Sequence, residues 1–381
     1  MVKKVIEASE AVAQGVMFSR PSVIPMYPIT PQTHIVERLA EYINDGRLDS
    51  EMIHVESEHS AMSAAVGAQS TGVRTFTATA SQGLALMNEI MFIASGMRLP
   101  IVMAVANRAL SAPINIWNDH SDSFSVRDSG WIQFYVESAQ EALDTVIQAY
   151  KVAEDHSVLL PAMICLDGFT LTHVYEPVDI PEQKDVDLFL NPYKTVHAYL
   201  DPKHPLTQGP IGFPDSYMDL KHDQHMALIN AGNVIQEAHF MFGQQFGREY
   251  GNGLVEGYRM DDADYAVIAM GSVCGTIRVV VDSLRKEGKK VGMIKLRVFR
   301  PFPGEQISSF CSELKGVGVI DKEISFGQEG TLYSEIRSAM FNSNLIINGF
   351  IAGLGGRDIT PNHIRGIFSN IDDDKPTEWL F

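Results

Sequence analysis

The chain has 381 residues, of which 45% are hydrophobic and 20% charged, so it is long enough for two or three domains with substantial cores. Its 30 basic and 47 acidic residues give a net charge of −17, which argues against nucleic acids and anionic membranes as partners. No apolar run approaches the roughly 18 residues of a membrane span, and the N-terminus lacks the apolar core of a signal peptide, which predicts a cytoplasmic protein.

Cysteine usage bears on the redox chemistry that the chain can carry. Cys165, Cys274 and Cys311 are scattered through apolar surroundings, which predicts buried free thiols. An iron–sulfur cluster of the usual type takes about four thiolates. Any such cluster would therefore belong to another chain.

The N-terminal part combines an amphipathic segment with a proline-rich loop. Residues 5–18 place apolar side chains, beginning with Val5, on one helical face. Residues 22–26 then form a short apolar strand that enters a loop stiffened by Pro28 and Pro31, before a helix that starts near Gln32. So rigid a loop suits the positioning of a ligand, but a simple connector between strand and helix fits the pattern as well.

A change of pattern at Ser57 marks the next junction. Residues 52–55 predict a short buried strand, Ser57 is a natural helix N-cap, and the small residues after it indicate a tightly packed helix. Glu58 therefore lies where a strand hands over to a helix, at the sheet edge where α/β proteins bind ligands. The alternative is that Glu58 only complements the helix dipole.

Strict alternation of strand and helix follows. Strands over 74–79 and 101–106 flank a helix from 82 to about 94, and their continuous apolar character predicts a parallel sheet with helices on both faces. A helix over 139–155 and a strand over 159–166 complete a first domain, residues 1–181.

The long segment from 107 to 131 has no regular period, and loops of this length tend to be functional. Asp119, His120 and Asp122 could resemble a metal triplet. Their short separations and the lack of a second clustered histidine favour a hydrogen-bonded loop instead, so no metal site is predicted.

Residues 182–257 predict an extended connecting segment. Pro177 and Pro181 open it as a linker, and one helix is expected over 226–238. Its histidines are too spread out to indicate a metal site: His197, His204, His222, His225 and His239.

A second, smaller α/β domain is predicted over 258–381. Its strands are expected at 265–270, 291–296, 316–321 and 345–349, with helices over 276–286 and after 330. Neither a dinucleotide fingerprint nor a phosphate loop is present, and the glycine-rich run 353–356 predicts a tight turn.

Several ordered motifs together resemble the 2-oxoacid:ferredoxin oxidoreductases, and within them the alpha subunits of the pyruvate:ferredoxin oxidoreductases (pyruvate synthases). The resemblance spans nearly the whole chain. The motifs are Tyr27–Pro31, Glu56–His59, Ala80–Leu84, Asn107–Ala109 and Trp117–His120.

The resemblance implies a fold and an enzyme. The first domain would be the pyrimidine-binding domain of a thiamine diphosphate enzyme, and the second a transketolase C-terminal-like domain marked by Phe299–Pro303. Beta, gamma and delta-type subunits would complete a hetero-oligomer, with the diphosphate and magnesium site on the beta subunit and [4Fe-4S] clusters on partner subunits. The complex would convert a 2-oxoacid and coenzyme A reversibly into acyl-CoA and CO2, and pass electrons to ferredoxin.

The resemblance also implies roles for individual residues. Glu58 would hydrogen-bond the pyrimidine ring of the cofactor and help it lose its C2 proton. Arg108 would bind the 2-oxoacid carboxylate, and Thr30 would reach the same substrate. The remaining cofactor-binding residues would be Tyr27, Pro28, Ile29 and Gln82.

The substrate prediction depends on the number of cations near Arg108. The loop that follows supplies Ser111, Asn115 and Asp119, with no lysine or arginine before Arg127, so a monocarboxylate such as pyruvate is expected. The alternatives are 2-oxoglutarate, 2-oxoisovalerate or oxalate, or a non-catalytic scaffold that only holds partner chains together.

Overall fold

The computed structural model describes residues 2–195, 199–372 and 377–381, so His197 lies outside the described residues. The helices are α1 (Ala8–Ser19), α2 (Thr33–Asn44), α3 (Glu58–Ser70), α4 (Ser81–Gly96), α5 (Ser121–Ser125), α6 (Ala139–Ala153), α7 (Gln183–Phe189), α8 (Tyr217–Phe246), α9 (Val273–Lys286), α10 (Gly304–Cys311), α11 (Thr331–Ala339) and α12 (Pro361–Asn370).

The first sheet has the order β12-β6-β7-β5-β4, and a short parallel pair, β2-β3, lies beside it. A parallel bridge from Val23 to Thr75 joins the two. The strands are β2 (Val23–Met26), β3 (Glu51–His54), β4 (Phe76–Thr79), β5 (Val102–Asn107), β6 (Ile132–Val136), β7 (Ala162–Asp167) and, antiparallel to β6, β12 (Val298–Arg300).

The second sheet has the order β15-β14-β13-β10-β11-β9, parallel except for β9. Its strands are β9 (Val255–Tyr258), β10 (Tyr265–Ala269), β11 (Val291–Leu296), β13 (Gly316–Asp321), β14 (Ile346–Ile351) and β15 (Glu378–Trp379). The remaining strands, β1 (Val2–Glu7) and β8 (Tyr175–Ile180), form an antiparallel pair.

Helices cover both faces of the first sheet, as its continuous apolar strands predicted. Along β5, Val102 and Ala104 join one buried cluster with α1 and α6, while Met103 and Val105 join another with α3 and α4. Successive side chains of a strand point to opposite faces, so an apolar strand needs cover on both. The parallel α/β prediction is confirmed, and the three cysteines are buried free thiols.

The structure corrects three details of the predicted elements. Val5 belongs to a strand and not to the first helix, because residues 2–7 pair with residues 175–180. The same pairing places Pro177 in an edge strand, which tolerates proline, and not in a linker. The strand at 51–54 forms as expected, but Ile53 is exposed because β3 lies at the edge of its sheet.

The connecting segment is more helical than its composition indicated. The helix predicted over 226–238 extends over Tyr217–Phe246 and ends at Gly247, whose φ of 69° suits a helix C-terminus. None of the helices in the described ranges, α8 included, is long and apolar enough to cross a membrane.

A buried ion-pair cluster joins the two sheets. Glu141 of α6 lies 2.7 Å from Lys295 Nζ and 3.0 Å from Arg297 Nε, and these three side chains are almost completely buried. Buried charges are stable only when they are paired and hydrogen-bonded. We call the second sheet with α9–α12 the second unit, and the first sheet with its helices the first unit. With β12 added to the first sheet, this cluster fixes the second unit against the first.

Candidate active site

The predicted site residues lie along one edge of the first sheet. Strands β2 and β3 are parallel to each other, as are β4 and β5, and the bridge between them is parallel too. Their carboxyl ends therefore face the same way, and the segments that follow them carry Thr30, Glu58, Gln82 and Arg108.

Glu58 is a buried carboxylate at the start of α3. Ser57 caps this helix as predicted, since its Oγ accepts a hydrogen bond of 3.2 Å from the Ser60 N–H. The Glu58 side chain is only 8% exposed, yet it makes no hydrogen bond or ion pair with any residue that the structure describes. A carboxylate in so buried a residue without a partner in the described ranges is unusual, which makes Glu58 a candidate for binding a ligand.

Gly83 of α4 makes room for this carboxylate. A Cβ at Gly83 would lie 2.7 Å from Glu58 Oε1 and 2.5 Å from Thr79 Oγ1, closer than side chains approach one another. The Thr79 hydroxyl is itself buried with no partner in the described part of the chain. Two groups that lack hydrogen-bond partners in the described ranges thus flank Gly83 in the first turn of α4.

The proline loop is held to the sheet by Gln32. This residue is fully buried, its Nε2 donates to Ala78 O at 3.0 Å, and its Oε1 accepts from the Ile29 N–H at 3.3 Å. Tyr27 and Ile29 are half-buried, while Pro28 and Thr30 are exposed. Sequence reasoning treated Gln32 only as a helix start, because nothing in the local pattern shows that its amide reaches β4.

Arg108 and Thr30 are brought into contact. The guanidinium of Arg108 donates from Nη1 to Thr30 O at 3.1 Å and from Nε to Asn115 O at 2.9 Å. Arg108 is 8% exposed, and it makes no ion pair with a carboxylate in the described ranges. Two carbonyl groups therefore orient a buried cation that has no acidic partner in the described ranges.

Asp122 holds these segments together. Its Oδ2 accepts from the backbone N–H groups of Ser81 at 2.9 Å and Arg108 at 3.0 Å, and its Oδ1 accepts from Asn107 Nδ2 at 2.8 Å and the Ser123 N–H at 2.7 Å. Burial raises the pKa of Asp122 to about 7, while these hydrogen bonds oppose the shift. Asp122 thereby fixes the end of β5 relative to the start of α4.

The other two members of the suspected triplet have different partners. His120 Nε2 lies 2.9 Å from Asp167, which also meets Lys322 of the second unit at 3.0 Å. Burial opposes ionisation, but the Lys322 charge and the His120 hydrogen bond hold the pKa of Asp167 well below its usual range. Asp119 accepts from the backbone of Ser121 at 3.0 Å. The hydrogen-bonded loop is confirmed, and no group of three or more potential ligands for a metal lies within the described ranges.

Gln82 and Arg127 lie outside the buried part of the site. Gln82 is exposed, and Ser81 Oγ lies 2.6 Å from its Oε1. Arg127 lines a separate cavity of about 940 Å³ between α4, α8 and residues 300–306. Neither of the residues that accept hydrogen bonds from the Arg108 side chain, Thr30 and Asn115, lines that cavity.

Comparisons with known proteins find similar chains along nearly the whole sequence. Residues 14–239 match the family "Pyruvate flavodoxin/ferredoxin oxidoreductase, thiamine diP-bdg", and residues 263–364 match "Pyruvate:ferredoxin oxidoreductase core domain II". The chain is 55% identical to the pyruvate synthase subunit PorA of Methanocaldococcus jannaschii, over 99% of this chain and 97% of that protein. It is 44% identical to the ketoisovalerate oxidoreductase subunit VorA of Pyrococcus horikoshii, over 99% and 98%.

A solved structure has the same fold. The 2-oxoglutarate:ferredoxin oxidoreductase from Magnetococcus marinus, with 2-oxoglutarate, coenzyme A and succinyl-CoA bound, superposes with a TM-score of 0.76 at 19% identity. The match covers 97% of this chain but 65% of the longer solved chain. This likeness supports the fold that the resemblance implied.

Proposed function

Because this chain belongs to the pyruvate:ferredoxin oxidoreductase family, we propose that it is the alpha subunit of an enzyme that oxidises pyruvate with coenzyme A to acetyl-CoA and CO2. Two electrons pass to ferredoxin, and the reaction is reversible. One observation carries the proposal: Glu58 and Arg108 are buried charges of opposite sign, neither paired with an ionised side chain in the described part of the chain. A chain that served only as a scaffold would gain nothing from burying these two charges unpaired.

The residues around Glu58 suit the pyrimidine half of thiamine diphosphate. Glu58 would accept a hydrogen bond from the ring, the free Thr79 hydroxyl offers a second polar contact, and Gly83 leaves space beside them. Tyr27, Ile29 and the exposed Gln82 would border the ring. The bound cofactor supplies the electron sink for cleavage of the bond between the carboxylate and the carbonyl carbon.

The residues around Arg108 suit the substrate. Its guanidinium would pair with the carboxylate of pyruvate, and two backbone carbonyls already hold it in place. Thr30 would contact the substrate from the proline loop. One cation without an acidic partner in the described ranges matches the single carboxylate of pyruvate. The dicarboxylates 2-oxoglutarate and oxalate would require a second cation.

The rest of the machinery would come from partner subunits. The sequence carries no diphosphate motif, so the diphosphate and Mg²⁺ would be held by a beta-type subunit, and the [4Fe-4S] clusters by partner chains because three buried cysteines cannot hold one. Gamma and delta-type subunits, coenzyme A and ferredoxin complete the proposed complex. Its location would be the cytoplasm, which the free thiols support.

The proposal is tested with Glu58→Gln in a complex reconstituted from all subunits. The amide keeps the shape but removes the charge, so turnover with a viologen dye should fall by about two to four orders of magnitude while assembly survives. The isolated chain should bind thiamine diphosphate weakly until the beta-type subunit is added. A rate near that of the wild type would remove Glu58 from the chemistry.

The substrate is tested by comparing kcat/KM for pyruvate, 2-oxoglutarate, 2-oxoisovalerate and oxalate at saturating coenzyme A. Pyruvate should be best. 2-oxoisovalerate is the strongest competitor, because a ketoisovalerate oxidoreductase subunit is 44% identical to this chain and its substrate also has one carboxylate. If 2-oxoglutarate or oxalate were best, a cation from a partner chain would have to enter the site.

A further inference from the structure

Asn115 connects Arg108 to the second unit. Its backbone carbonyl accepts the Arg108 Nε–H at 2.9 Å, and its side-chain Nδ2 donates to Gly355 O at 3.0 Å. Its Oδ1 accepts from the Trp117 N–H at 2.7 Å, so both ends of the side-chain amide are engaged. The residue that orients the guanidinium is thus itself held by a residue 240 positions along the chain.

Glycine is required on the other side of this contact. Gly353, Gly355 and Gly356, which we call the glycine turn, have φ values of 73°, 59° and 79°. Such angles favour glycine because a side chain would meet its own backbone. A Cβ at Gly355 would also lie 2.5 Å from Asn115 Nδ2. The run that the sequence indicated only as a tight turn therefore packs directly against the loop after β5.

The glycine turn holds this loop at a second point. The Gly355 N–H donates to Asp119 Oδ2 at 3.1 Å. One residue later, the His120 N–H donates to Lys322 O at 2.8 Å. Residues 111–114, just before the first of these attachments, are exposed, so the contacts of Asn115, Asp119 and His120 with the second unit are a main support of this loop.

These contacts have a physical consequence for Arg108. A free arginine side chain samples many rotamers, and recognition of a carboxylate by both guanidinium donors requires one orientation of the plane. Thr30 O and Asn115 O accept from two different nitrogens and so restrict that plane. A shift of the Asn115 carbonyl would remove one of the two restraints without altering the site around Glu58.

We infer that the glycine turn of the second unit acts through Asn115 as a positioning element for Arg108, and so sets the affinity for the 2-oxoacid carboxylate. This inference rests on the proposed function, because it assigns Arg108 to the substrate. Asn115 is a positioning residue, because both ends of its side-chain amide are already engaged, by Gly355 O and by the Trp117 N–H. The second unit thereby takes part in substrate binding.

The test uses the complete reconstituted complex with Asn115→Ala and Gly355→Ala. Each should raise the KM for pyruvate about tenfold, with kcat within about twofold, the KM for coenzyme A unchanged and the thiamine diphosphate content unchanged. The effect on 2-oxobutyrate should be equal, because the carboxylate is common to both substrates. The double variant should be little worse than either single variant, because the two changes break one contact.

Gly288→Ala is the matched control for Gly355→Ala. Gly288 has a φ of 83° in the same unit, and a Cβ there meets nothing within 4 Å, so it introduces the same backbone strain without touching the loop. Its complex should keep the wild-type KM. If Gly355→Ala prevents assembly, Asn115→Ala decides alone. An unchanged pyruvate KM in Asn115→Ala, or an equal rise in Gly288→Ala, would overturn the inference. Failure of the wild-type complex to turn over pyruvate would instead contradict the proposed function.

Discussion

Substitution of Gly83 by alanine should displace the Glu58 carboxylate while leaving its charge unchanged. The added Cβ would lie 2.7 Å from Glu58 Oε1 and 2.5 Å from Thr79 Oγ1, so the carboxylate oxygen must move by about 0.7 Å, and the hydroxyl by about 0.9 Å, to reach an ordinary contact of 3.4 Å. The carboxylate is the far end of a flexible side chain, so it should yield before the backbone of α4 does. The charge of Glu58 stays, while the positions of its carboxylate and of the neighbouring Thr79 hydroxyl change.

The effects on stability and on turnover should differ in size. Overpacking by the added methyl group should lower the free energy of unfolding by about 1–3 kcal/mol. Alanine offsets up to about 1 kcal/mol of this loss, because it favours a helix more than glycine does, so the chain should still fold. A misplacement approaching 1 Å can cost about a hundredfold in rate. We therefore expect viologen reduction with pyruvate and coenzyme A to fall by about 10- to 100-fold.

Gly96→Ala, at the other end of α4, is the control, because a Cβ there meets nothing within 4 Å. Its complex should match the wild type in rate and in thermal midpoint. Turnover of Gly83→Ala within about twofold of this control would show that the site tolerates displacement of the carboxylate. The reasoning that ties Gly83 to Glu58 would then be refuted.

Three other substitutions test separate features. Arg108→Lys should raise the pyruvate KM by about 10- to 100-fold, because one ammonium cannot hold both carbonyls and present a planar pair of donors; a saturation curve like that of the wild type would contradict this. Asp122→Asn should destabilise the chain by about 2–4 kcal/mol in denaturant unfolding, because its new NH2 faces two N–H donors. A loss below about 1 kcal/mol would show that Asp122 does not hold the end of β5 against the start of α4. Burial and the charge of Arg297 lower the pKa of His239 to about 4, so its stabilising effect is present above pH 6.5 and is lost as the pH falls through 4. His239→Gln keeps an acceptor for the Tyr250 N–H, and it should make the thermal midpoint depend less on pH between pH 6.5 and 4. A variant whose midpoint varies with pH as in the wild type would be inconsistent with the lowered pKa.

The division into a first domain (1–181), a connecting segment (182–257) and a second domain (258–381) stays a proposal. Strand β9 begins at Val255 and pairs with β11, while β12 crosses to the first sheet. The connecting segment and the second unit are therefore interwoven with their neighbours. We propose that the three parts fold together rather than as independent units.

The sequence by itself determined the α/β fold class and most of the elements, and it predicted the residues of the proposed site. Continuous apolar strands predicted a parallel sheet covered on both faces, since a strand buried on both sides has no polar positions. Ser57 before a run of small residues predicted the start of α3, and the motifs around Glu58 and Arg108 led to the family that the comparisons confirmed. These are local signals, carried by residues close together in the chain.

Only the tertiary structure decided which distant groups meet. The β-branched start of the chain became a strand because residues 175–180 offered a partner, and no local pattern shows such a partner. Asp122 bonded backbone groups of two different loops, and Gly355 reached Asn115 across 240 residues. Periodicity reports which face of an element is buried, but a hydrogen bond between remote segments depends on how whole elements pack, so the support of Arg108 became visible only in the folded chain.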